Sequence, residues 1–225
     1  MTVHYDLYVR VSQTNNWASL RQYALIARQL NITGLGIDSS FKIDLLKKEL
    51  RTVHDSSVNF LSRLTITANK IPQIKHMLDK NRSRTQIISV KSNDLSICKW
   101  AAHDRRVDLI TIDPSHIIID KGLSNLLKKN EKPIELVYAP LLRVYGTRRS
   151  QLFRNYYKIL TWVLRKRIPL VISSGGTSIF DLRGYRETMA IASQLGLSMS
   201  IAHIAISKIP LQIINSRLNR LNLNI

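Results

Sequence analysis

An α/β fold is predicted, a TIM-barrel-like barrel of about seven parallel strands with surrounding helices, and three observations carry that expectation. Seven short apolar runs alternate with helical patterns at a spacing of roughly 25 residues, as repeated βα units do. No dinucleotide fingerprint follows the first strand: Gly34 and Gly36 lie inside the second strand and a third glycine is missing. At 225 residues the chain forms one domain, 1–225, close to the length of a barrel and short of it by one strand.

The elements follow in order. The first strand alternates from Tyr5 to Val11. Asn15 or Asn16 is placed to cap a helix whose apolar residues Trp17, Leu20, Tyr23, Ala24, Ala27 and Leu30 recur at three and four. The second strand is Thr33 to Asp38, and Ser39 and Ser40 begin a helical piece. Strands are then expected at Val58–Ala68, Thr85–Val90 and Val107–Ile112, with helices at Lys70–Lys80, Asp94–Asp104 and Gly122–Lys129 between and after them. Ile134–Tyr138 is the sixth strand, closed by Pro140. A basic loop with Arg143, Tyr145, Gly146, Arg148 and Arg149 follows it. From Arg149 to Arg167 the residues Leu152, Phe153, Tyr156, Ile159, Leu160 and Val163 form one helical face, with Arg154, Lys158 and Arg165 on the other. Leu170-Val171-Ile172-Ser173-Ser174-Gly175-Gly176 reads as the seventh strand, buried and running into a glycine turn. The remainder reads as helical, with a stop and restart at Leu195-Gly196-Leu197-Ser198 and a last helix begun by Pro210.

Charge narrows the partners. Lys and Arg number 34 against 15 Asp and Glu, a net charge of +19. The excess is global: 17 basic and 9 acidic residues precede Asp113, and 17 and 6 follow from it onward. Between Glu135 and Asp181 there are eight Lys or Arg and no acid. A folded cationic surface of this kind suits a polyanion, because each cation set against a phosphate releases condensed counterions.

Other classes are disfavoured. Cys98 is the single cysteine, so disulfides and cysteine-rich zinc sites are excluded, and its helical segment marks it as a buried structural thiol. The first residues do not form a positive region followed by an apolar core, so a signal peptide is not expected. Thr188 to Ser207 has no formal charge, yet its Gln, Gly and Ser residues fit short buried helices better than a membrane span.

In a βα barrel the residues just after the strands form the working face. Here that face collects Arg10, Asp38, Lys91, Asp113, Arg143, Arg148, Arg149, Ser173, Ser174 and Arg183. It is mostly cationic, and none of the six His forms a His-x-His pair. Two readings of Asp6, Asp38 and Asp113 stand: a carboxylate cluster for magnesium in a free-standing phosphoesterase, or buried hydrogen-bonded carboxylates at strand ends. The Ser173-Ser174-Gly175-Gly176 turn can cradle phosphate through its amides or be a satisfied turn, and it lacks the lysine of a P-loop. Tyr145, Tyr156, Tyr157 and Trp162 lie among the arginines; Tyr156 is expected to pack inward and Tyr145 and Tyr157 to be exposed, and base stacking is not the role expected of them.

The chain resembles the ribonuclease P protein component 3 family of archaea and eukaryotes. The resemblance rests on Tyr5-Asp6-Leu7, Val107-Asp108-Leu109-Ile110, Ile119-Asp120-Lys121-Gly122 and the run from Ile134 to Pro140. It continues through Arg149, Ile172-Ser173-Ser174-Gly175, Asp181-Leu182-Arg183-Gly184 and Leu195-Gly196-Leu197-Ser198. Tyr185 stands where the family commonly has proline after the Arg-Gly turn. The resemblance implies a barrel-like subunit of ribonuclease P, the ribonucleoprotein that removes the 5′ leader from precursor tRNA. It implies chemistry carried by the RNA with Mg2+, and no catalytic residue, metal or cofactor on this chain. It also implies ribonuclease P RNA and ribonuclease P protein component 2 as partners in a hetero-oligomer, away from membranes. The location would be cytoplasmic in an archaeon and nucleolar in a eukaryote. On charge and resemblance together, the RNA-binding candidates are Lys91, Arg143, Arg148, Arg149, Arg154, Lys158, Ser173, Ser174, Arg183 and Arg186. Arg149 and Arg183 match the family pattern, and the alternative role for Arg183 is an ion pair with Asp181 or Glu187. A general RNA-binding protein outside ribonuclease P shares the charge argument.

Overall fold

A computed structural model of the chain describes residues 3–11, 18–38 and 58–221. Seven strands lie side by side in chain order, every neighbouring pair parallel: β1 (Tyr5–Arg10), β2 (Gly34–Asp38), β3 (Asn59–Ile66), β4 (Ile87–Lys91), β5 (Leu109–Ile112), β6 (Ile134–Val137) and β7 (Leu170–Ser173). A bridge between Val9 and Gly176 brings the end of β7 back to β1. There the Gly175 amide donates to the Tyr8 carbonyl at 2.9 Å and the Arg10 amide to Gly176 at 2.8 Å. The result is the expected seven-stranded barrel, nearly closed, with its seam held by the glycine turn.

The helices are α1 (Ala18–Gln29), α2 (Ile71–Asn81), α3 (Leu95–His103), α4 (Lys121–Lys129), α5 (Ala139–Arg143), α6 (Gly146–Lys166), α7 (Tyr185–Gln194), α8 (Met199–His203) and α9 (Ile209–Leu221). Their starts follow side-chain chemistry. Asp94 accepts from the Ser96 amide at 2.7 Å to cap α3, and Asp120 accepts from Leu123 at 2.6 Å to cap α4. The predicted apolar face of α6 is buried through Leu152, Tyr156, Ile159, Leu160 and Val163, in one core with Leu123 and Leu127 of α4. Cys98 is fully buried there, and burial pushes its thiol up to about 12.

Three expectations are corrected. The basic loop after β6 is helical: Pro140 lies in the first turn of α5, where its missing N–H costs nothing, and α6 opens at Gly146 rather than Arg149. Pro210 does not start the last helix. Helical structure runs unbroken from Met199, through a π turn over Ile204–Lys208, into α9. In that turn the Ile209 amide donates five residues back to the Ile204 carbonyl, which absorbs the extra residue ahead of the proline. The Asn15 or Asn16 cap with Trp17, and the helical piece from Ser39 and Ser40, lie outside the described residues. No helix among the described residues is long and apolar enough to cross a membrane.

Inside the barrel the strands contribute two layers. Leu61, Ile87, Leu109 and Val171, with Tyr5 and Leu7, make an apolar layer near the N-terminal ends, packed against Ile213 and Ile214 of α9. Arg217 of α9 fixes that helix beneath the barrel by donating to the Thr85 carbonyl at 3.0 Å. Two residues further along four of these strands, the interior turns polar at Arg63, Ser89, Thr111 and Ser173. A bulge between Asp6 and Val9 puts one extra residue in β1, so both Leu7 and Tyr8 face inward. Gly36 is the counterpart of that bulge: a Cβ there would sit 2.1 Å from the Leu7 carbonyl oxygen.

Candidate nucleic-acid interface

The upper layer of the barrel is where an α/β barrel would place its chemistry, and here it is closed by a salt bridge. Arg63 and Glu135, both fully buried, meet through two parallel bonds of 2.7 and 2.6 Å. The Arg63 guanidinium also donates to Thr65 at 3.0 Å, Thr111 at 2.9 Å and the Leu7 carbonyl at 2.7 Å, and lies 4.0 Å from the centre of the Tyr8 ring. Ser173 and Thr111 hydroxyls complete Glu135 at 2.8 and 2.5 Å. Charge and hydrogen-bonding capacity are satisfied within the protein, so this layer is a structural strut across β1, β3, β5, β6 and β7.

The three aspartates do not converge on this layer. Asp6 accepts from the Ser174 amide at 3.0 Å and the Tyr8 amide at 3.2 Å. Asp38 accepts from the Thr65 amide at 2.9 Å, and burial raises its carboxyl despite the attraction of Arg63. Asp113 pairs with Lys91 at 3.1 Å across the ends of β4 and β5. Burial works to raise Asp113, but the Ser115 amide and Lys91 outweigh it and hold the carboxyl below its ordinary value. Among the described residues no group of three or more His, Cys, Asp or Glu is placed to hold a metal ion. The geometry favours the buried-carboxylate reading for Asp6 and Asp38, whereas Asp113 is partly exposed and held by its ion pair with Lys91.

Two buried groups near the seam make opposite contributions to acid stability. Desolvation raises Asp6 to about 6 and lowers His4 to about 4. For Asp6 the folded state holds more protons than the unfolded state between its ordinary 3.8 and about 6, so its contribution to stability is present below that window and lost as pH rises through it. For His4 the unfolded state holds more protons between about 4 and its ordinary 6.5, so its contribution is present above that window and lost as pH falls. The two slopes oppose each other. Of these two, Asp6→Asn leaves the His4 slope alone, and urea unfolding should show stability rising more steeply from about pH 4.5 to about pH 6 than in the parent. Parallel profiles for the two proteins would mean that Asp6 is not desolvated.

Besides Lys91, which is paired with Asp113, the sequence-selected cations separate into four groups. Arg148, Arg149, Arg154 and Lys158 are exposed along α6, with no carboxylate partner among the described residues; Arg149 lies 5.9 Å from the Phe153 ring centre. The first turn of α6 has no acidic residue, and its N-cap Tyr145 provides no side-chain cap. Arg148 and Arg149 therefore oppose the helix dipole, at about 0.3–1 kcal/mol each, a cost that a bound anion reverses. Arg143 is partly engaged: it pairs with Asp181 and donates to the Thr177 hydroxyl at 2.7 Å, tying α5 to the segment after β7. Arg183 forms no ion pair with Asp181 or Glu187 among the described residues. It folds back onto the carbonyls of Phe180 at 2.8 Å and Leu182 at 2.7 Å. Arg186 stands apart, in a cleft with Arg28, Asn31 and Thr33 at the opposite end of the barrel.

Ser173 and Ser174 are corrected as surface contacts. They are 1% and 0% exposed, Ser173 bound to Glu135 and Ser174 donating to the Tyr8 carbonyl at 3.1 Å. The amides of the glycine turn are likewise taken by Asp6, Tyr8 and Ser174, so the turn closes the barrel rather than cradling phosphate.

The family model described as RNase P subunit p30 matches residues 3–222. The chain belongs to the RNase P p30 family. Ribonuclease P protein component 3 of Methanosarcina barkeri is 28% identical over 201 residues, which is 86% of this chain and 82% of that protein. The component 3 protein of Methanosarcina mazei is 26% identical over 87% of this chain and 82% of its own length. Among solved structures, a chain from the cryo-EM structure of archaeal ribonuclease P with mature tRNA matches the fold with a TM-score of 0.81 at 17% identity, covering 96% of this chain and 94% of that one.

Two features of this p30-family chain were missed by reading the sequence. The Arg63–Glu135 pair had a signal: each is the lone ionisable residue of its strand, and the two have opposite signs. Phe180, 81% exposed, had none beyond its place beside Asp181.

Proposed function

We propose that this chain is a protein subunit of ribonuclease P that binds and supports the catalytic RNA and carries no catalytic group of its own. The observation that carries the reading is the unpartnered cationic ridge of α6, running from Arg148 and Arg149 at its first turn to Arg154 and Lys158. It lies on a chain whose family match spans nearly its whole length. A ridge of exposed guanidinium groups follows a phosphate backbone, and the phosphates supply the negative charge that the start of α6 lacks. Arg143 and Arg183, held at the same end of the barrel, extend the ridge, and Lys91 adds to it despite its bond to Asp113.

On this reading Mg2+ chemistry belongs to the RNA, and the buried Arg63–Glu135 layer occupies the place where a barrel enzyme would bind substrate. Ribonuclease P protein component 2 is the proposed protein partner in a hetero-oligomer, precursor tRNA the substrate of the assembly, and the cytoplasm of an archaeal cell the location. The test is to isolate the tagged chain from its own cells at mild salt, sequence the bound RNA and assay precursor-tRNA cleavage. One dominant structured RNA with 5′-leader removal in the same fraction is expected. Bulk RNA without cleavage would favour a general RNA-binding protein and overturn the assignment.

A further inference from the structure

Tyr145 and Phe180 are the two most exposed of the large apolar side chains described, at 87% and 81%. A ring left that far out of its own core contributes nothing to folding. These two also share one end of the barrel. Tyr145 stands two residues after Arg143, Phe180 immediately before Asp181, and the Arg143–Asp181 pair joins the two segments directly. The guanidinium of Arg183 is folded under the Phe180 carbonyl at 2.8 Å, and Arg148 and Arg149 stand one turn of helix beyond Tyr145.

We propose that Tyr145 and Phe180 form a stacking platform for unpaired nucleotides, so that this end of the barrel takes single-stranded or bulged RNA rather than a continuous duplex. The proposal rests on the RNA-binding reading above and adds the class of RNA element. The charge around the rings selects the ligand. An apolar protein partner would meet the arginines of the segments that carry the two rings, whereas a nucleotide presents a π-face to the ring and a phosphate to a nearby cation. Inside a helix the base faces are covered by their neighbours, so only unstacked bases can use exposed rings, and this is how proteins commonly read RNA loops and bulges. The Arg143–Asp181 pair fixes the backbone beneath each ring, which limits the entropy lost when a base arrives.

The test compares the full-length chain with Tyr145→Leu/Phe180→Leu, which keeps apolar side chains and removes both π-systems. The probes are a ten-nucleotide oligouridine or oligoadenosine and a blunt RNA duplex of equal charge. Stacking of one base on each ring predicts a loss of at least tenfold in affinity for the single strands, with duplex affinity and the salt slope unchanged. Tyr145→Phe/Phe180→Tyr should bind as the parent does. Equal losses for both probes, or no loss for either while Arg148→Glu/Arg149→Glu abolishes binding, would overturn the platform and leave the RNA reading standing. Retention of full RNA affinity with loss of a co-purifying protein subunit would assign the rings to a protein contact and also overturn it. Failure of the parent to bind any of these RNAs would instead overturn the RNA-binding reading beneath it.

Discussion

Replacing Arg148 and Arg149 together by glutamate should weaken RNA binding by about tenfold or more at moderate salt, and make the dependence of log K on log salt shallower by about 2. The same substitution should leave the fold intact. Both residues lie in the first turn of α6, where the helix dipole favours carboxylates over guanidinium groups by about 0.3–1 kcal/mol per site. Urea unfolding should therefore give an unchanged or slightly higher midpoint. Binding and stability move in opposite directions, which separates a lost contact from a damaged protein. If affinity and salt slope both stayed at the parent's values, the start of α6 would not face RNA, and the surface would have to be sought at Arg154 and Lys158 or around Arg28 and Arg186.

Glu135→Gln should destabilise the protein by about 3–5 kcal/mol, because it leaves the Arg63 guanidinium charged and fully buried without the carboxylate that pairs with it. That is a large share of the roughly 5–15 kcal/mol that holds a typical domain folded. Removing both charges with Arg63→Met/Glu135→Leu should recover much of the loss. Recovery will be incomplete, because the Leu7 carbonyl and the Ser173 hydroxyl lose buried partners that the guanidinium and the carboxylate now supply. Denaturant midpoints for the single and double variants decide the matter. A Glu135→Gln cost below about 1 kcal/mol would mean that water reaches this layer and that the barrel top is open.

The barrel was legible in the chain because its strands are short, apolar and evenly spaced, whereas the Asp120 cap, which starts its helix one residue ahead of Gly122, was not. The cationic helix was legible for the same reason: the period of Leu152, Tyr156, Ile159 and Val163 leaves the arginines only one face. What local pattern does not contain is pairing at a distance. Arg63 and Glu135 are 72 residues apart and Arg143 and Asp181 38 apart, so neither pair can be read from its own segment. Ser173 and Ser174 show the converse. Their place after a strand puts them on the working face of a generic barrel, but closure of this seven-stranded barrel at the seam draws them inside. Pro140 and Pro210 were read as boundaries, and both lie within helical runs, one at a tolerated first-turn position and one behind a π turn.

The manner of closure has a consequence for synthesis. Asp6 reaches Ser174 across 168 residues and Arg217 reaches Thr85 across 132, so the seam and the floor of the barrel both depend on residues from the last quarter of the chain. During translation strands β1 to β6 emerge with their inner faces open, carrying an apolar layer without α9, and Arg63 lacks its partner until β6 delivers Glu135. Contacts of such long range also slow folding once the chain is complete. The nascent protein thus spends the greater part of its synthesis as an uncapped half-barrel, with the apolar layer exposed until the last quarter of the chain has been made.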